Sequence, residues 1–208
     1  MVAVVIGWVV IAGSCVRSLP QILRIKRNSS VEGISLLSFT SELVAFMITI
    51  AYNVRFMYPL STWGETLTNA IQHAILVGMI FFYKKDISNV LKACIISSLV
   101  AGTLFVFSGS CSDAMLRWLQ SLVIVILAVF GRLPQVFLNF KRGNSGELSF
   151  GSTLLSVLGN IARVFTTWAL VHDVIIMATA VSQLILNSIL LAQIMDTMRK
   201  ETIPEYTS

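Results

Sequence analysis

The sequence predicts an all-α membrane protein with seven transmembrane helices, arranged as two parallel three-helix bundles joined by a linker helix. The first reason is composition: 56% of the 208 residues are hydrophobic, 12% are charged and the mean hydropathy is +0.83. Soluble domains carry about 25% charged residues, and a soluble core this small cannot bury so much apolar surface. The second reason is an internal repeat, because Leu-Pro-Gln at 19–21 recurs at 133–135.

Seven apolar stretches are long enough to cross a membrane, since a helical span needs about 20 residues. Turn-forming or charged residues separate them, for example KRNSSVEG after the first stretch and KRGNSGE after the fifth. We interpret the first stretch as a span and not as a cleaved signal peptide, because it has no basic leading segment. The predicted spans are 2–25, 34–56, 64–83, 87–108, 114–139, 148–170 and 173–195.

Basic residues collect on one side of this layout. The even-numbered loops have Arg55 and Arg117 nearby. The odd-numbered loops and the C-terminal segment carry Arg24, Lys26, Arg27, Lys84, Lys85, Lys92, Lys141, Arg142, Arg199 and Lys200. Because basic loops stay cytosolic, we expect a lumenal or extracellular N-terminus and a cytosolic C-terminus. The net charge of +5 is therefore a topology signal and does not indicate nucleic-acid binding. The sequon at Asn28 then faces the cytosol and should stay unglycosylated.

The repeat extends beyond the tripeptide at a constant offset of 114 residues, so that Ser35 corresponds to Ser149 and Ser38 to Ser152. Each copy contains an apolar span, an Arg, Leu-Pro-Gln, a basic pair, a Ser/Gly-rich turn with a Glu, and another span. The offset covers three spans and one connecting span, so both copies enter the membrane in the same direction. The predicted organisation is a first bundle at 1–83, a linker helix with flanking loops at 84–113, a second bundle at 114–196 and a cytosolic tail at 197–208.

Pro20 and Pro134 lie inside their spans. A proline within a helix removes one backbone hydrogen bond and kinks the helix. We therefore predict paired hinges at Pro20 and Gln21 and at Pro134 and Gln135, with each Gln donating to a carbonyl that the proline leaves unpaired. The alternative is that the prolines only fit their helices against neighbouring ones.

The duplicated Leu-Pro-Gln with its basic, Ser/Gly-rich turn resembles the PQ-loop repeat family, which includes lysosomal cystine and cationic amino-acid transporters and is related in structure to the SWEET sugar carriers. Four segments resemble the branch of mannose-P-dolichol utilization defect proteins: SLLSFTSELVA at 35–45, LSTWGETL at 60–67, NSGELSF at 144–150 and ARVFTT at 162–167. The resemblance covers nearly the whole chain and implies a SWEET-like fold. It also implies a protein of the endoplasmic reticulum membrane, required for the use of mannose-P-dolichol and glucose-P-dolichol as donors in N-glycan precursor and GPI-anchor synthesis.

Ionisable side chains inside the predicted spans are candidate site residues, because each costs about 2.5–3.5 kcal/mol at the centre of a bilayer. Glu42 and Arg163 either pair across the two bundles or each face a hydrated cavity, and Asn160 lies one turn before Arg163. The structural alternative is a buried ion pair that only holds the bundles together.

Glu65 and His73 belong to the third span. Glu65 near the start of a helix suits the helix dipole, and the family resemblance makes it a candidate ligand-site residue as well. His73 is either a hydrogen-bonded packing residue or part of a proton relay. Arg17 and Arg132 lie close to the two Pro motifs, where they either snorkel to the membrane boundary or bind a lipid phosphate.

No catalytic constellation and no phosphate-binding glycine loop is present in the sequence, so we predict a protein that is not an enzyme and needs no cofactor. The three cysteines are scattered without metal-ligand spacing, so no metal site is predicted. The remaining function classes are a membrane protein that binds a lipid head group, a carrier of small solutes, and a scaffold for other proteins.

Three functions fit. The first is binding or translocation of a dolichol-phosphate head group, with Arg17, Arg132 and Arg163 as cationic partners of the phosphate. The second is a carrier of sugars or amino acids, in the endoplasmic reticulum or in a lysosomal or vacuolar membrane; a proton-coupled carrier should have a carboxylate near the second Pro-Gln motif, and span five has none. The third is a scaffold for glycosyltransferases of the endoplasmic reticulum.

Overall fold

The computed structural model of the chain describes residues 1–16, 18–145 and 149–202, and every regular element within them is a helix. A π-helical turn at Leu127–Arg132, called the π turn below, connects α6 to α7. Arg17 and Glu147 of the two repeat motifs lie outside the described residues. The helices are α1 (Val2–Ser14), α2 (Leu19–Asn28), α3 (Leu36–Arg55), α4 (Leu60–Tyr83), α5 (Asn89–Phe107), α6 (Asp113–Ile126), α7 (Leu133–Arg142), α8 (Phe150–Leu170) and α9 (Val174–Thr202).

The seven predicted spans are confirmed, since the described residues contain seven helical segments long and apolar enough to cross a membrane. The first segment combines α1 with α2, and the fifth combines α6, the π turn and α7. The last helix continues to Thr202, beyond the predicted end at 195. An ion pair of 2.7 Å between Lys200 and Asp196, one turn apart, stabilises this extension.

The two repeats use the same signals to begin and end helices. Ser35 begins α3 and Ser149 begins α8, and each hydroxyl oxygen accepts a hydrogen bond from the amide three residues later, at 3.2 Å and 3.4 Å. The helix that precedes each serine ends at a left-handed residue, Ser29 with φ of 48° and Gly143 with φ of 70°. Both pairs obey the offset of 114 residues, so the repeat has a physical basis in matching caps.

The two bundles meet through equivalent helices. In the first bundle α4 packs on α1 and α3, and in the second α9 packs on α6 and α8. Across the interface α3 packs on α6 and the π turn, while α1 packs on α8. The first span of each repeat therefore contacts the second span of the other, as expected for parallel repeats. The linker α5 packs on α3 and buries Val106, which leaves most of its surface for lipid.

The two ends of the molecule differ. At one end, called the closed end, Tyr52, Cys111, Leu116 and Ile176 from both halves of the chain form one buried cluster. The other end, called the basic end, carries the basic pairs at the ends of α2 and α7. There α2 packs mainly on α4, and α7 mainly on the π turn and α9, each within its own bundle. The bundles therefore share a buried cluster at the closed end, and toward the basic end they meet through the start of α3 and the π turn.

Candidate functional site

The first Pro-Gln motif lies at a break between two helices. α1 ends at Ser14 and α2 begins at Leu19, so Pro20 stands in the first turn of α2, where its missing N–H costs nothing. Gln72 of α4 bridges the break: its Nε2 donates to the Ser14 carbonyl and its Oε1 accepts from the Ser18 amide, both at 2.7 Å. The carbonyl that Pro20 frees, that of Val16, accepts instead from the Leu19 amide at 3.3 Å, so the prediction that Gln21 serves it is wrong.

The second Pro-Gln motif follows the π turn instead of a break. Gln135 Nε2 donates to the Asn139 side chain at 2.7 Å, so it does not serve a backbone carbonyl as predicted. Asn139 in turn donates to Gln193 of α9 at 3.0 Å, and Gln193 donates to the Val136 carbonyl at 3.1 Å. In both bundles a glutamine from the third span thus bonds the backbone near the Pro-Gln motif. The two prolines remain candidate hinges.

Glu42 of α3 and His73 of α4 form a contact inside the first bundle. Glu42 Oε2 lies 3.2 Å from His73 Nε2, and His73 Nδ1 lies 2.9 Å from the carbonyl oxygen of Asn69. The imidazole ring is held between Phe39 at 5.1 Å and Phe46 at 4.9 Å between ring centroids. The Glu42 side chain is 24% exposed, so the pair is half-buried and reachable.

Glu42 also faces the second bundle. A Cβ atom on Gly131 would lie 3.7 Å from Glu42 Oε1, an ordinary van der Waals distance, so the carboxylate lies beside the π turn. One turn before Glu42, Ser38 donates to the carbonyl oxygen of Phe130 at 2.6 Å. The carboxylate that span five lacks is therefore supplied to the second Pro-Gln segment by the first bundle. The sequence of span five does not reveal this carboxylate, because the neighbouring contact joins residues about 90 positions apart.

Arg163 of α8 pairs with Glu65 of α4. The guanidinium donates to Glu65 Oε1 at 2.5 Å and to the Thr66 hydroxyl at 3.2 Å, so the hypothesis of a pair with Glu42 is wrong. A small cavity beside this pair is lined by Gly7 and Ser61, among others. Asn160 does not join the pair and donates to the Gln183 carbonyl of α9 at 3.2 Å.

A network that the sequence did not single out seals the closed end. Asp173 Oδ2 accepts hydrogen bonds from the Tyr52 and Tyr58 hydroxyls, both at 2.8 Å, and Asp173 Oδ1 caps α9 by accepting from the amides of Ile175 and Ile176. Arg117 Nη1 lies 3.7 Å from Asp173. The available signal was an Asp immediately before an apolar helix, the usual N-cap position.

The electrostatics of this network follow from burial and hydrogen bonding. Burial, followed by the hydrogen bond to Asp173, raises the pKa of Tyr58 to about 12. Burial alone would raise the pKa of Asp173, but hydrogen bonds from the Ile176 amide and from Tyr52 and Tyr58 outweigh it and lower that pKa. Asp173 is therefore held as a carboxylate that joins the two bundles at neutral pH.

The second bundle has buried side-chain amide atoms whose hydrogen-bonding capacity is not satisfied by the described residues. Asn187 Oδ1 and Gln183 Nε2 are buried and find no hydrogen-bond partner among the described residues. Asn187 stands at the repeat position that His73 occupies in the first bundle, since the two are 114 residues apart. Arg132, at the end of the π turn, is half-buried and makes an interaction of its own. The interior of both bundles is therefore polar at equivalent depths, with acid and imidazole in one and amides in the other.

Comparison with known proteins gives consistent results. The family model of the PQ loop repeat matches residues 2–62 and 117–176 of this chain. Solute carrier family 66 member 3 of Homo sapiens is 25% identical over 184 residues, 87% of each chain. Cystinosin of Drosophila melanogaster is 24% identical over 182 residues, which are 76% of this chain and 46% of that protein. The solved structure of a eukaryotic SWEET transporter superposes with a TM-score of 0.70 at 16% identity, covering 93% of this chain and 97% of that one. The predicted seven-helix, SWEET-like fold is confirmed.

Proposed function

The chain belongs to the PQ-loop repeat family, and from that premise we propose that it is a carrier that exposes a polar site between its two bundles alternately to the two sides of an intracellular membrane. The observation that carries the proposal is the position of Glu42 and His73. The pair is half-buried beside the inter-bundle contact of α3 with the π turn, and the bundles share a buried cluster at the closed end. Alternating access requires such a site with one end shut.

The chemistry of the site favours a neutral or cationic small solute. The first bundle contains a carboxylate and an imidazole, and the second contains amide atoms of Asn187 and Gln183 that are buried without a partner among the described residues. Hydroxyl and amino groups of sugars or amino acids are suitable partners for such side chains, whereas a bare carboxylate opposes an anionic phosphate. The relatives point the same way, since they carry the names of a solute carrier, cystinosin and a SWEET transporter.

Flux into liposomes tests the proposal. Purified protein in vesicles should take up at least one member of a panel of radiolabelled sugars and amino acids faster than empty vesicles do. Glu42→Gln should lower that flux on the order of tenfold, the loss expected for one charge-assisted hydrogen bond. Glu32→Gln, the same change at an exposed loop residue, is the matched control and should leave the flux unchanged. Absence of flux for the whole panel counts against a small-solute carrier.

A second candidate function is the use of mannose-P-dolichol and glucose-P-dolichol in the endoplasmic reticulum, as the mannose-P-dolichol utilization branch implies. The observation that favours it is the ion pair of 2.5 Å between Glu65 of LSTWGETL and Arg163 of ARVFTT, which brings two branch-like segments together across the bundle interface. A dolichol-phosphate head group would displace Glu65 from Arg163, with Arg132 and Arg17 as further cations. Such a protein would have a lumenal N-terminus and glycosyltransferases as neighbours.

Complementation separates the two candidates. In a cell line that lacks its own protein of this branch, expression of the chain should restore full-length, mannose-complete lipid-linked oligosaccharide if the dolichol function holds. Arg163→Gln should abolish that rescue while Lys200→Gln, at an exposed ion pair, should not. Rescue without solute flux favours the dolichol function, and flux without rescue favours the solute carrier. Crosslinking to glycosyltransferases with neither activity favours a scaffold.

A further inference from the structure

The turns that follow α2 and α7 each place a basic pair at the same distance before a serine. The sequence KRNSS at 26–30 ends at Ser30 in the first repeat, and KRGNS at 141–145 ends at Ser145 in the second. Each serine therefore has an arginine three residues before it and a lysine four residues before it. Protein kinases choose substrates by such charge patterns. Both turns lie at the basic end, which the charge pattern predicts to face the cytosol, where kinases and ATP are found.

The structure makes one of these two serines accessible and hides the other. Ser30 is exposed, and its hydroxyl oxygen accepts a hydrogen bond from the Glu32 amide at 3.2 Å. Ser145 is 4% exposed, and its amide donates to the Thr197 hydroxyl of α9 at 2.9 Å. In both repeats the basic pair belongs to the last turn of a helix, so a kinase has to open that turn equally in each. Accessibility therefore distinguishes Ser30 from Ser145.

A groove beside Ser30 provides a place for a phosphoryl group. Its volume is about 690 Å³, and it is lined by the turn after α2 and by the turn after α4, which contributes Lys84 and Lys85. Val31 and Ile87, one from each turn, are buried in a single apolar cluster that holds the two turns together. The lysines therefore belong to the same groove as Ser30, in a position that is fixed by packing.

The charges around the groove suit an anion. Glu32 and Asp86 line it together with Lys84 and Lys85, so these four charges balance. The basic pair at 26–27, in the last turn of α2, adds two positive charges next to it. A phosphoserine carries a charge of about −1.5 to −2 at neutral pH, which matches this excess. Neither lysine forms an ion pair among the described residues, so both ammonium groups can bind phosphate oxygens.

The neighbouring Ser29 is a less suitable acceptor. It is the left-handed C-cap of α2, with φ of 48°, and it lies at the partly negative end of the helix dipole. A phosphate at this position would be repelled by the last carbonyl groups of the helix. Ser30 lies outside the helix, and the Glu32 amide already donates to its oxygen.

We propose that Ser30 is a phosphorylation site for a kinase that selects basic sequences, and that Lys84 and Lys85 bind the phosphate. In the reaction, Ser30 Oγ attacks the γ-phosphorus of MgATP, the bond to the leaving ADP breaks as the Oγ–P bond forms, and the hydroxyl proton passes to the catalytic Asp of the kinase. The phosphate then ties the turn after α2 to the turn after α4. Because α2 follows the break at the first Pro-Gln motif, this tie fixes α2 against α4.

Transfer of labelled phosphate tests the modification. The full chain in lipid nanodiscs, which leave both faces of the membrane accessible, is incubated with the catalytic subunit of cyclic-AMP-dependent protein kinase and ³²P-labelled MgATP. Fragment mass spectrometry should locate the phosphate at Ser30. Ser30→Ala should lose the label and Ser145→Ala should keep it. Absence of label in the unchanged protein, or label that persists in Ser30→Ala, overturns the proposal.

Matched charge changes in the two repeats test the recognition. Arg27→Gln should slow the phosphorylation of Ser30 about tenfold, the effect of losing one charge-assisted hydrogen bond to the kinase. Arg142→Gln, the same change three residues before Ser145, should leave the rate unchanged. Equal rates in Arg27→Gln and the unchanged protein contradict recognition through the basic pair.

Amide hydrogen exchange tests the contact with the lysines. Phosphorylation should slow exchange at 83–88 about fivefold, because the phosphate adds charge-assisted hydrogen bonds between the two turns. Lys84→Gln with Lys85→Gln changes two exposed side chains, and this protein should still accept the phosphate but lose the slowing. Lys141→Gln with Arg142→Gln is the matched control and should retain it. Equal exchange with and without phosphate, or slowing that survives the change of both lysines, contradicts the proposed contact.

The inference goes beyond the proposed carrier function and does not rest on it. None of these measurements needs a cargo, so absence of solute flux would leave their expected results unchanged. Loss of label at Ser30, in turn, would leave the flux assay unaffected.

Discussion

Glu65 of the first bundle and Arg163 of the second are joined by an ion pair of 2.5 Å across the bundle interface. Both side chains are mostly buried, with 23% and 14% of their surfaces exposed. Because a buried charge that loses its partner is costly, this pair is a strong determinant of how the bundles sit against each other.

Removing one partner should therefore destabilise the protein more than removing both. We expect Arg163→Met to cost about 3 kcal/mol of unfolding free energy and the double change Glu65→Leu with Arg163→Met to recover much of it. Lys200→Met, which breaks the exposed pair with Asp196, should cost less than about 0.5 kcal/mol. Denaturant unfolding in detergent measures all three. Equal costs for Arg163→Met and Lys200→Met would contradict a buried pair.

Gln72 should matter to stability more than the Gln of the motif itself. Gln72→Leu removes the two hydrogen bonds that bridge Ser14 and Ser18, so we expect a loss of about 2–4 kcal/mol, since the backbone groups stay buried and unpaired. Gln21→Leu should cost less than about 1 kcal/mol. The same unfolding assay compares them. A larger effect at Gln21 would restore the original assignment of the amide donor.

Close approach of α1 to α4 requires glycine at one position. A Cβ atom on Gly7 would lie 2.1 Å from the Ser61 carbonyl oxygen, whereas one on Gly13 of the same helix would meet nothing within 4 Å. Gly7→Ala should therefore lower stability by about 1–3 kcal/mol through overpacking, and Gly13→Ala should be neutral or stabilising by up to about 1 kcal/mol. Thermal unfolding distinguishes them, and a neutral Gly7→Ala would show that the helices do not approach this closely.

Acid should open the closed end. The lowered pKa of Asp173 adds stability that is present above its unfolded value of about 3.9 and is lost as the pH falls through the lower folded value. The unfolding temperature should therefore fall on acidification, and fall less in Asp173→Asn, which has already lost the charge. The difference between the two proteins, measured from about pH 6 to about pH 3, isolates this group. Parallel curves would show that Asp173 does not contribute.

The orientation in the membrane is open to a direct test. Asn28 ends α2 at the basic end, and a cytosolic basic end keeps its sequon away from the lumenal glycosylation machinery. We expect no endoglycosidase-sensitive mass shift on expression in cells. A sequon of the form Asn-Asp-Ser, introduced at the closed end by His172→Asn together with Val174→Ser, should acquire one glycan at position 172. Glycosylation at Asn28 would reverse the assigned topology.

Much of the fold was predictable because hydropathy, charge and the repeat act locally. The spans follow from apolar length, and the matched helix caps at Ser35 and Ser149 follow from residue type. The site was harder, because its contacts join distant positions. The sequence indicated an intramembrane cation at Arg163 and left open a pair with Glu42 or a hydrated cavity, since spacing along the chain does not show that Glu65 packs beside it.

The two Pro-Gln motifs illustrate the same limit. Their identical letters predicted identical kinks, yet one lies after a helix break and the other after a π turn. The difference arises from partners outside the motif: Gln72 bridges the first, and the network of Asn139 and Gln193 holds the second. The motif therefore predicts where the α-helix is interrupted. The neighbouring side chains determine whether the interruption is a break or a π turn.

The central claim is that the two ends open and close in opposition, and paired distance measurements test it most directly. With the three cysteines replaced, spin labels at Met57 and Val174 report on the closed end, and labels at Arg27 and Arg142 report on the basic end. Asp173→Asn should lengthen the first distance and shorten the second, because loss of the shared carboxylate favours the opposite opening. Lengthening at the closed end with an unchanged or longer distance at the basic end would contradict alternating access.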